Sequence, residues 1–177
     1  MRNLGLTKIL TAALAIGSAS AASAEAPELK TPAPVIYLAD NLDEKDNLGF
    51  CIDTVGRGLS DRLHAHSCKP QGGDVQFRHD ATTGQIASAA FDNLCAQLMQ
   101  PADDGVKLAL VPCSEDGLQK FDYDAASMEI RPAGSSNLCL ASPGSSRSAG
   151  PFMSRDLILV DCASSAPSQK QWVIKAN

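Results

Sequence analysis

The sequence has few aromatic residues, no cluster of basic residues and no apolar run long enough to cross a bilayer. Aromatic residues make up 5% of the chain although 44% of it is apolar, so a folded core needs support besides large side chains. The 15 lysines and arginines are scattered and outnumbered by 20 acidic residues, which argues against binding to nucleic acid. The longest apolar run, residues 9–17, is far shorter than the roughly 20 residues of a membrane span. We therefore predict a soluble protein with no membrane span.

The first 24 residues have the features of an export signal. Arg2 and Lys8 give a positively charged start, a short apolar run follows, and positions 22–24 read Ala-Ser-Ala, the small residues that signal peptidase accepts. We therefore expect a periplasmic or secreted protein. The predicted organisation is a cleaved signal peptide at 1–24, a proline-rich linker at 25–34 and one folded domain at 35–177.

Three similar units follow one another in the predicted domain. Their first cysteines are 44 residues apart, and the segments DNLGFC, DNLC and SNLC introduce them in turn. A second cysteine closes an apolar hexapeptide 17, 18 and 23 residues later. Six cysteines allow fifteen pairings, but an oxidising compartment and the repeat favour one bridge within each unit. Each bridge should stabilise the fold by about 3 kcal/mol. The predicted pairs are Cys51–Cys68, Cys95–Cys113 and Cys139–Cys162.

Within each unit, the pattern is typical of short β-strands. Apolar residues alternate with period two before each second cysteine, and clusters of Gly, Pro, Asp, Asn and Ser separate the segments. Three units are too few for a β-propeller, so a closed barrel with pseudo-threefold symmetry is favoured. The last unit lacks a final strand, and we expect the segment 35–39 to supply it. Lone aromatic residues should fill the core at Phe77, Phe121 and Trp172.

These features resemble the ricin-type (ricin B-like) β-trefoil lectin domain. The resemblance covers residues 35–177 and rests on the N-L-C segments, on the apolar strand that ends in each second cysteine, and on a glutamine beside an aromatic residue. It implies an all-β, β-trefoil fold of three repeats of about 44 residues, and a carbohydrate-binding, non-catalytic function. The glutamine pairs are Gln76-Phe77, Gln119-Lys-Phe121 and Gln171-Trp172.

The resemblance also implies one carbohydrate site, in the first repeat. Sugar binding in this family uses a carboxylate two residues after the first cysteine and an aromatic platform two before the second. It also uses a polar residue four before the second cysteine and an Asn or Asp three before the aromatic column. The first repeat holds Asp53, His66, His64 and Asp74 at these positions. The other repeats hold Gln97, Val111, Ala109 and Leu118, and Ala141, Val160, Ile158 and Gln169.

The chemistry of these four side chains agrees with that assignment. The Asp53 carboxylate can accept hydrogen bonds from two adjacent sugar hydroxyls. The flat His66 ring can pack on the apolar face of a pyranose, and His64 shares its strand face because side chains alternate along a strand. Asp74 can reach the ligand from the loop before Phe77. The predicted ligand is a glycan or polysaccharide, with no cofactor.

Two other function classes remain open from the sequence. His64 and His66 with Asp53 or Asp74 form a plausible Zn or Cu ligand set. Alternatively, the fold is a scaffold that binds or inhibits another protein, of unknown identity, through loops such as residues 142–151. Enzymatic activity is not predicted, because no catalytic triad order or paired carboxylates stand out and the cysteines are expected to be bridged.

Overall fold

The computed structural model describes residues 25–42, 44–56 and 62–176, so the predicted signal peptide lies outside the described residues. Across these ranges, short β-strands are joined by turns, and helix is limited to α1 (Pro167–Lys170) and two 3₁₀ segments, Gly73–Val75 and Gly117–Gln119. The all-β prediction is confirmed. The strands are β1 (Val35–Leu38), β2 (Phe50–Thr54), β3 (Leu63–Ser67), β4 (Phe77–Asp80), β5 (Gln85–Ser88), β6 (Leu94–Leu98), β7 (Leu108–Pro112), β8 (Phe121–Asp124), β9 (Glu129–Pro132), β10 (Leu138–Ala141), β11 (Arg147–Ala149), β12 (Phe152–Arg155), β13 (Ile158–Asp161) and β14 (Trp172–Lys175).

Antiparallel pairing follows a similar order in each sequence repeat. β2 pairs with β3 and β4 with β5 in the first repeat, and β6 pairs with β7 and β8 with β9 in the second. In the third repeat β10 pairs with β13, and β14 pairs with β1. Val35 lies opposite Lys175 and Leu38 opposite Trp172. The N-terminal strand therefore completes the last repeat, as predicted, which protects the edge that β14 would otherwise expose.

The three disulfides have the predicted pairing. Cys51–Cys68, Cys95–Cys113 and Cys139–Cys162 have Cα–Cα distances of 5.2, 4.9 and 5.1 Å, within the usual range for a bridge. All six cysteines are bonded. Because such bridges persist in oxidising surroundings, they indicate an extracellular type of environment.

The aromatic residues predicted for the core lie in one apolar cluster. Phe77, Phe121 and Trp172 are completely buried there. The Trp172 indole N–H donates a 2.8 Å hydrogen bond to the Leu140 carbonyl, so burial leaves this polar atom satisfied. Full burial of each such ring stabilises the fold by roughly 1.5–3 kcal/mol. These three aromatic residues thus contribute their full burial to the core.

The additional residues of the third repeat form a hairpin that packs on the first repeat. β11 and β12 pair with each other, and β12 pairs with β3, with Ser154 opposite His66 and Arg155 opposite Ala65. The result is a six-stranded sheet in the order β11-β12-β3-β2-β1-β14. The longer cysteine separation in this repeat, 23 residues against 17 and 18, is explained by this insertion.

Residues 25–34, predicted as a linker, contain no strand or helix and lie against the first repeat. The backbone N–H groups of Lys30 and Thr31 donate to the Cys68 carbonyl at 3.0 and 3.1 Å. The Thr31 hydroxyl donates to the Lys69 carbonyl at 2.8 Å. These bonds fix the chain just after β3, beside the predicted site. None of the helices in the described ranges is long and apolar enough to cross a membrane.

Candidate functional site

The paired strands β2 and β3 place three of the predicted site residues on one face. Asp53 lies directly opposite His64, and His66 follows two positions along β3. Residues opposite each other in an antiparallel pair, and residues two apart in one strand, point to the same side of the sheet. The two imidazole rings accordingly have centroids 5.3 Å apart.

The Asp53 carboxylate is the centre of this cluster. Its Oδ2 atom lies 3.7 Å from His64 Nε2, 3.6 Å from His66 Nδ1 and 3.1 Å from Lys69 Nζ. The Asp53 side chain is 1% exposed, so the lysine supplies the charge that a buried carboxylate needs. The Lys69 ammonium also lies 2.9 Å from Asp74 Oδ2. Asp74 therefore joins the site through Lys69.

Lys69 is a site residue that the sequence analysis missed. It follows Cys68 directly, whereas the second cysteines of the other repeats are followed by Ser114 and Ala163. This difference between repeats is a signal that could have identified it. The hydrogen bond from Thr31 to the Lys69 backbone helps to hold it in place.

Burial and charge act on the titratable groups of the cluster in opposite directions. Burial works to lower the pKa of the Lys69 ammonium, but the Asp53 and Asp74 carboxylates outweigh it and raise that pKa above its usual value. Burial lowers the pKa of the His66 imidazole, against the opposing effects of the Ser67 carbonyl and of Asp53. Near neutral pH the site therefore combines a charged lysine with a neutral His66.

Two polar atoms of the cluster are buried without a hydrogen-bond partner. These are the Oδ1 atom of Asp53 and the Nε2 atom of His64, whose 3.7 Å distance to the Asp53 Oδ2 atom is too long for a hydrogen bond. Leaving a buried polar atom unpaired costs about 1–3 kcal/mol. A ligand whose hydroxyl groups reach these atoms would recover that free energy.

Two adjoining cavities meet at this cluster. One of about 440 Å³ is lined by Asp53, His64 and residues of all three repeats, and the other, of about 540 Å³, contains Asp74 and Phe152. His66 and Lys69 line both. Each cavity falls within the range of small-molecule sites.

The β11–β12 hairpin adds a second aromatic ring beside His66. The Phe152 ring meets the His66 ring edge-on, with centroids 5.8 Å apart. His66 itself is 6% exposed, so Phe152 contributes apolar surface that the predicted histidine platform largely lacks. This contribution from another repeat was not foreseen from the sequence. The loop 57–61 between β2 and β3 lies outside the described residues.

The comparisons with known proteins agree with this fold. The sequence model of the ricin-type beta-trefoil lectin domain matches residues 41–172. The chain belongs to the ricin-type β-trefoil lectin family. The β-trefoil fold that the resemblance implies is therefore confirmed at the level of the family. Among curated proteins, none matches the sequence.

Two solved structures resemble this lectin domain in fold, at low sequence identity. The β-trefoil lectin domain of Vibrio vulnificus hemolysin/cytolysin, solved with N-acetyl-D-lactosamine bound, is 14% identical with a TM-score of 0.56; the match covers 81% of this chain and 93% of that one. The solution structure of the mdaA-1 domain is 16% identical with a TM-score of 0.59, covering 87% and 98%. At these identities the similarity shows the fold.

The corresponding positions in the other two repeats of this lectin domain have different surroundings. In the second repeat Gln97 stands where the first has Asp53, and its side-chain oxygen accepts a 2.9 Å hydrogen bond from Gln119. In the third repeat Ala141 is fully buried, and Val160 packs with the Cys139–Cys162 bridge. The set of carboxylate, lysine and two histidines thus occurs in the first repeat.

The geometry bears on the alternative of a metal site in this lectin domain. Within the described ranges, three potential ligand atoms come within 4.8 Å of one another at Glu129, Cys139 and Cys162, where the two cysteines are already bonded to each other. His66 Nδ1 lies 3.1 Å from the Ser67 carbonyl, which can only accept, so this nitrogen carries a proton. Asp53, His64 and His66 are less compact, and Lys69 already neutralises the carboxylate.

Proposed function

We propose that the protein is an exported, non-catalytic lectin that binds carbohydrate through one site in the first repeat. Asp53, His64, His66 and Asp74 form this site, with Lys69 holding the two carboxylates. The observation that carries the proposal is the pair of unpartnered polar atoms, Asp53 Oδ1 and His64 Nε2, in residues that line a cavity. Membership of a lectin family and the oxidising environment indicated by the disulfides support it.

Sugar hydroxyls match what the unpartnered atoms need. A hydroxyl both donates and accepts, so one such group can donate to Asp53 Oδ1 and another can bond His64 Nε2 in either tautomer. The Lys69 ammonium lies 3.1 Å from Asp53 Oδ2, and a carboxylate acceptor makes hydrogen bonds about twice as strong as a neutral one. The site therefore favours ligands that present several hydroxyls on a rigid ring.

The rings of His66 and Phe152 supply the apolar contact that orients a sugar. His66 Nδ1–H is used by the Ser67 carbonyl, which leaves the other ring nitrogen available to accept a bond from a hydroxyl. The Phe152 ring stands edge-on to it across the hairpin. Aromatic rings with a polar edge suit a pyranose, which has one apolar C–H face and a polar rim.

The direct test is a glycan array with the chain from residue 25 onward, followed by titration of any ligand that is retained. The array should include N-acetyl-D-lactosamine, the sugar bound by the Vibrio vulnificus domain. Asp53→Asn keeps the shape of the side chain and removes its charge, and should weaken binding by about tenfold or more, the loss of one charged hydrogen bond. Asp122→Asn, an exposed carboxylate on β8 outside both cavities, is the matched control. Unchanged affinity in Asp53→Asn contradicts the proposal.

A further inference from the structure

The lining of the 440 Å³ cavity has an excess of basic residues, although the chain as a whole carries a net charge of −5. Four basic residues line it, against the two carboxylates of Asp53 and Asp156. They come from three repeats, which the β3–β12 pairing and the neighbouring strands bring together. The basic residues are Arg62, Lys69, Lys107 and Arg147.

These cations differ in whether a carboxylate of the protein already pairs with them. Lys69 is held between two carboxylates at 3.1 and 2.9 Å, so it belongs to the structure of the site. Arg62 has interactions of its own. Arg147 pairs with Asp156 at 3.0 Å, and both side chains are about half exposed. Such a pair contributes about 0–1 kcal/mol, so Arg147 can exchange Asp156 for an anion on a ligand at little cost.

Lys107 is the most available cation of the cavity. Its side chain is exposed, and no carboxylate of the described ranges lies within ion-pair distance of it. Its backbone forms a β-bridge with Ile158, which also lines the cavity. The second repeat thus supplies an unpaired positive charge to the site of the first.

Arg147 is placed on the same face of the sheet as the predicted sugar-binding residues. It lies opposite Ser154 on β12, and Ser154 lies opposite His66 on β3. Residues opposite each other across antiparallel strands share a face, and two strand spacings put Arg147 roughly 10 Å from His66. Hydroxyl-binding groups at the base of the cavity therefore face cations at its rim.

We propose that the ligand of this site is an anionic glycan, whose acidic group contacts Lys107 and Arg147 while hydroxyls of the sugar contact Asp53 and His64. This inference rests on the proposed lectin function and adds the chemical class of the ligand. The shared chemistry is a negatively charged group on a sugar ring, which a uronate carboxylate or a sulfate ester can supply. A concave site with an excess of one sign of charge concentrates ligands of the opposite sign, and salt weakens the effect.

The experiment compares one sugar chain with and without its charge. Titrations use an oligogalacturonate and its full methyl ester, and a sulfated galactan oligosaccharide and its desulfated, neutral form, so that the two arms separate carboxylate from sulfate. The charged member of at least one pair should bind roughly tenfold more tightly than its neutral partner at low salt. The preference should shrink as the salt concentration rises to 0.5 M, because surface charges are then screened.

Charge reversal at the rim identifies the residues responsible. Lys107→Glu and Arg147→Glu should each weaken binding of the charged oligosaccharide by roughly 3- to 10-fold and leave the neutral partner unaffected. Lys175→Glu makes the same charge change on β14, outside both cavities, and should change neither affinity.

The outcomes distinguish this inference from the proposed function. Equal affinity for the charged and neutral members of both pairs overturns the inference, and so does an equal effect of Lys107→Glu and Lys175→Glu. If Asp53→Asn abolishes binding of the neutral sugar in the same titrations, the lectin function stands without the charge preference. If no sugar is bound at all, both are wrong.

Discussion

Lys69 Nζ lies 3.1 Å from Asp53 Oδ2. Lys69 directly follows Cys68, and Asp53 lies two residues after Cys51, the disulfide partner of Cys68. The bridge therefore fixes the distance between the two chain segments that carry the ion pair. Lys69 pairs with a buried carboxylate at the point where the ligand is expected. The first prediction tests how much the fold depends on this contact.

Lys69→Met should destabilise the protein strongly, because it leaves the Asp53 carboxylate buried without a cation. Breaking a buried ion pair typically costs about 3–5 kcal/mol, and since 15% of the Lys69 side chain is exposed we expect about 2–4 kcal/mol. Urea denaturation at pH 7 measures the change. Lys120→Met is the control, because its partner Glu115 is 89% exposed, and it should cost less than about 1 kcal/mol. Equal losses in the two variants would show that Lys69 has no special role.

The free energy of unfolding should fall as the pH decreases below about 6.5, the usual pKa of histidine. Burial lowers the pKa of His66 in the folded state, so the unfolded chain takes up a proton at a higher pH than the folded one. Stability is then complete above the unfolded pKa and is lost as the pH falls toward the folded pKa. Denaturation curves between pH 7.5 and pH 4.5 for wild type and His66→Gln isolate this contribution. If the free energy of unfolding depends on pH in the same way in His66→Gln and in wild type, this prediction is wrong.

Phe152→Ala should weaken sugar binding by about tenfold while costing about 1 kcal/mol of stability, since an aromatic contact of this kind contributes about 0.5–1.5 kcal/mol. Its ring packs against His66 from the hairpin of the third repeat. Titration of a retained glycan gives the first value and thermal denaturation the second. Phe152→Trp, which keeps an aromatic face, should retain affinity, and Met99→Ala, at an exposed position, is the control. Binding that survives Phe152→Ala unchanged removes this ring from the site.

Two disulfides of almost equal loop length separate stability from binding. Removing Cys51–Cys68 or Cys95–Cys113 by double alanine substitution should cost about 3 kcal/mol in each case, because the loops span 17 and 18 residues. The first bridge ties β2 to β3, which carry Asp53 and His64, so its loss should also reduce sugar affinity, measured at a temperature where both variants are folded. If the two variants lose affinity equally, the first bridge does not position the site.

Zinc should not stabilise the wild-type protein. Lys69 already neutralises Asp53, and His66 Nδ1 carries a proton, so the three ligand atoms do not form a ready metal site. A metal present at a hundred times its dissociation constant would stabilise the fold by about 2.7 kcal/mol. Thermal denaturation with Zn²⁺ and with a chelator measures the difference. A melting temperature that rises with zinc and returns with the chelator would favour the metal-binding alternative over the lectin.

The sequence predicted the repeated elements well, because repetition reveals what each unit needs. Comparing the three units gave the disulfide pairing and the buried column of Phe77, Phe121 and Trp172, and the resemblance they support gave the β-trefoil. The missing strand at the end of the third unit predicted the role of β1. Contacts between repeats were not predicted, since nothing in the spacing of Phe152 shows that β12 pairs with β3.

The candidate site shows the same division between local and distant contacts. That Asp53, His64 and His66 share a face follows from strand periodicity and from the disulfide, which fixes the register of β2 and β3. The role of Lys69 depends on side-chain distances, which periodicity does not give. The burial of His66 depends on a hairpin that lies 86 residues further along the chain, which no local pattern could place.

The pairing of β12 with β3 has a consequence for the order in which the protein becomes active. The backbone N–H of Met153 donates a 3.0 Å hydrogen bond to Ser67 Oγ. One wall of the candidate pocket in the first repeat is therefore formed by the hairpin of the third repeat. A chain truncated before residue 152 would lack this wall even if its first disulfide formed. Sugar retention would then report on complete maturation of the chain, and an affinity column could separate fully folded molecules from partly folded ones.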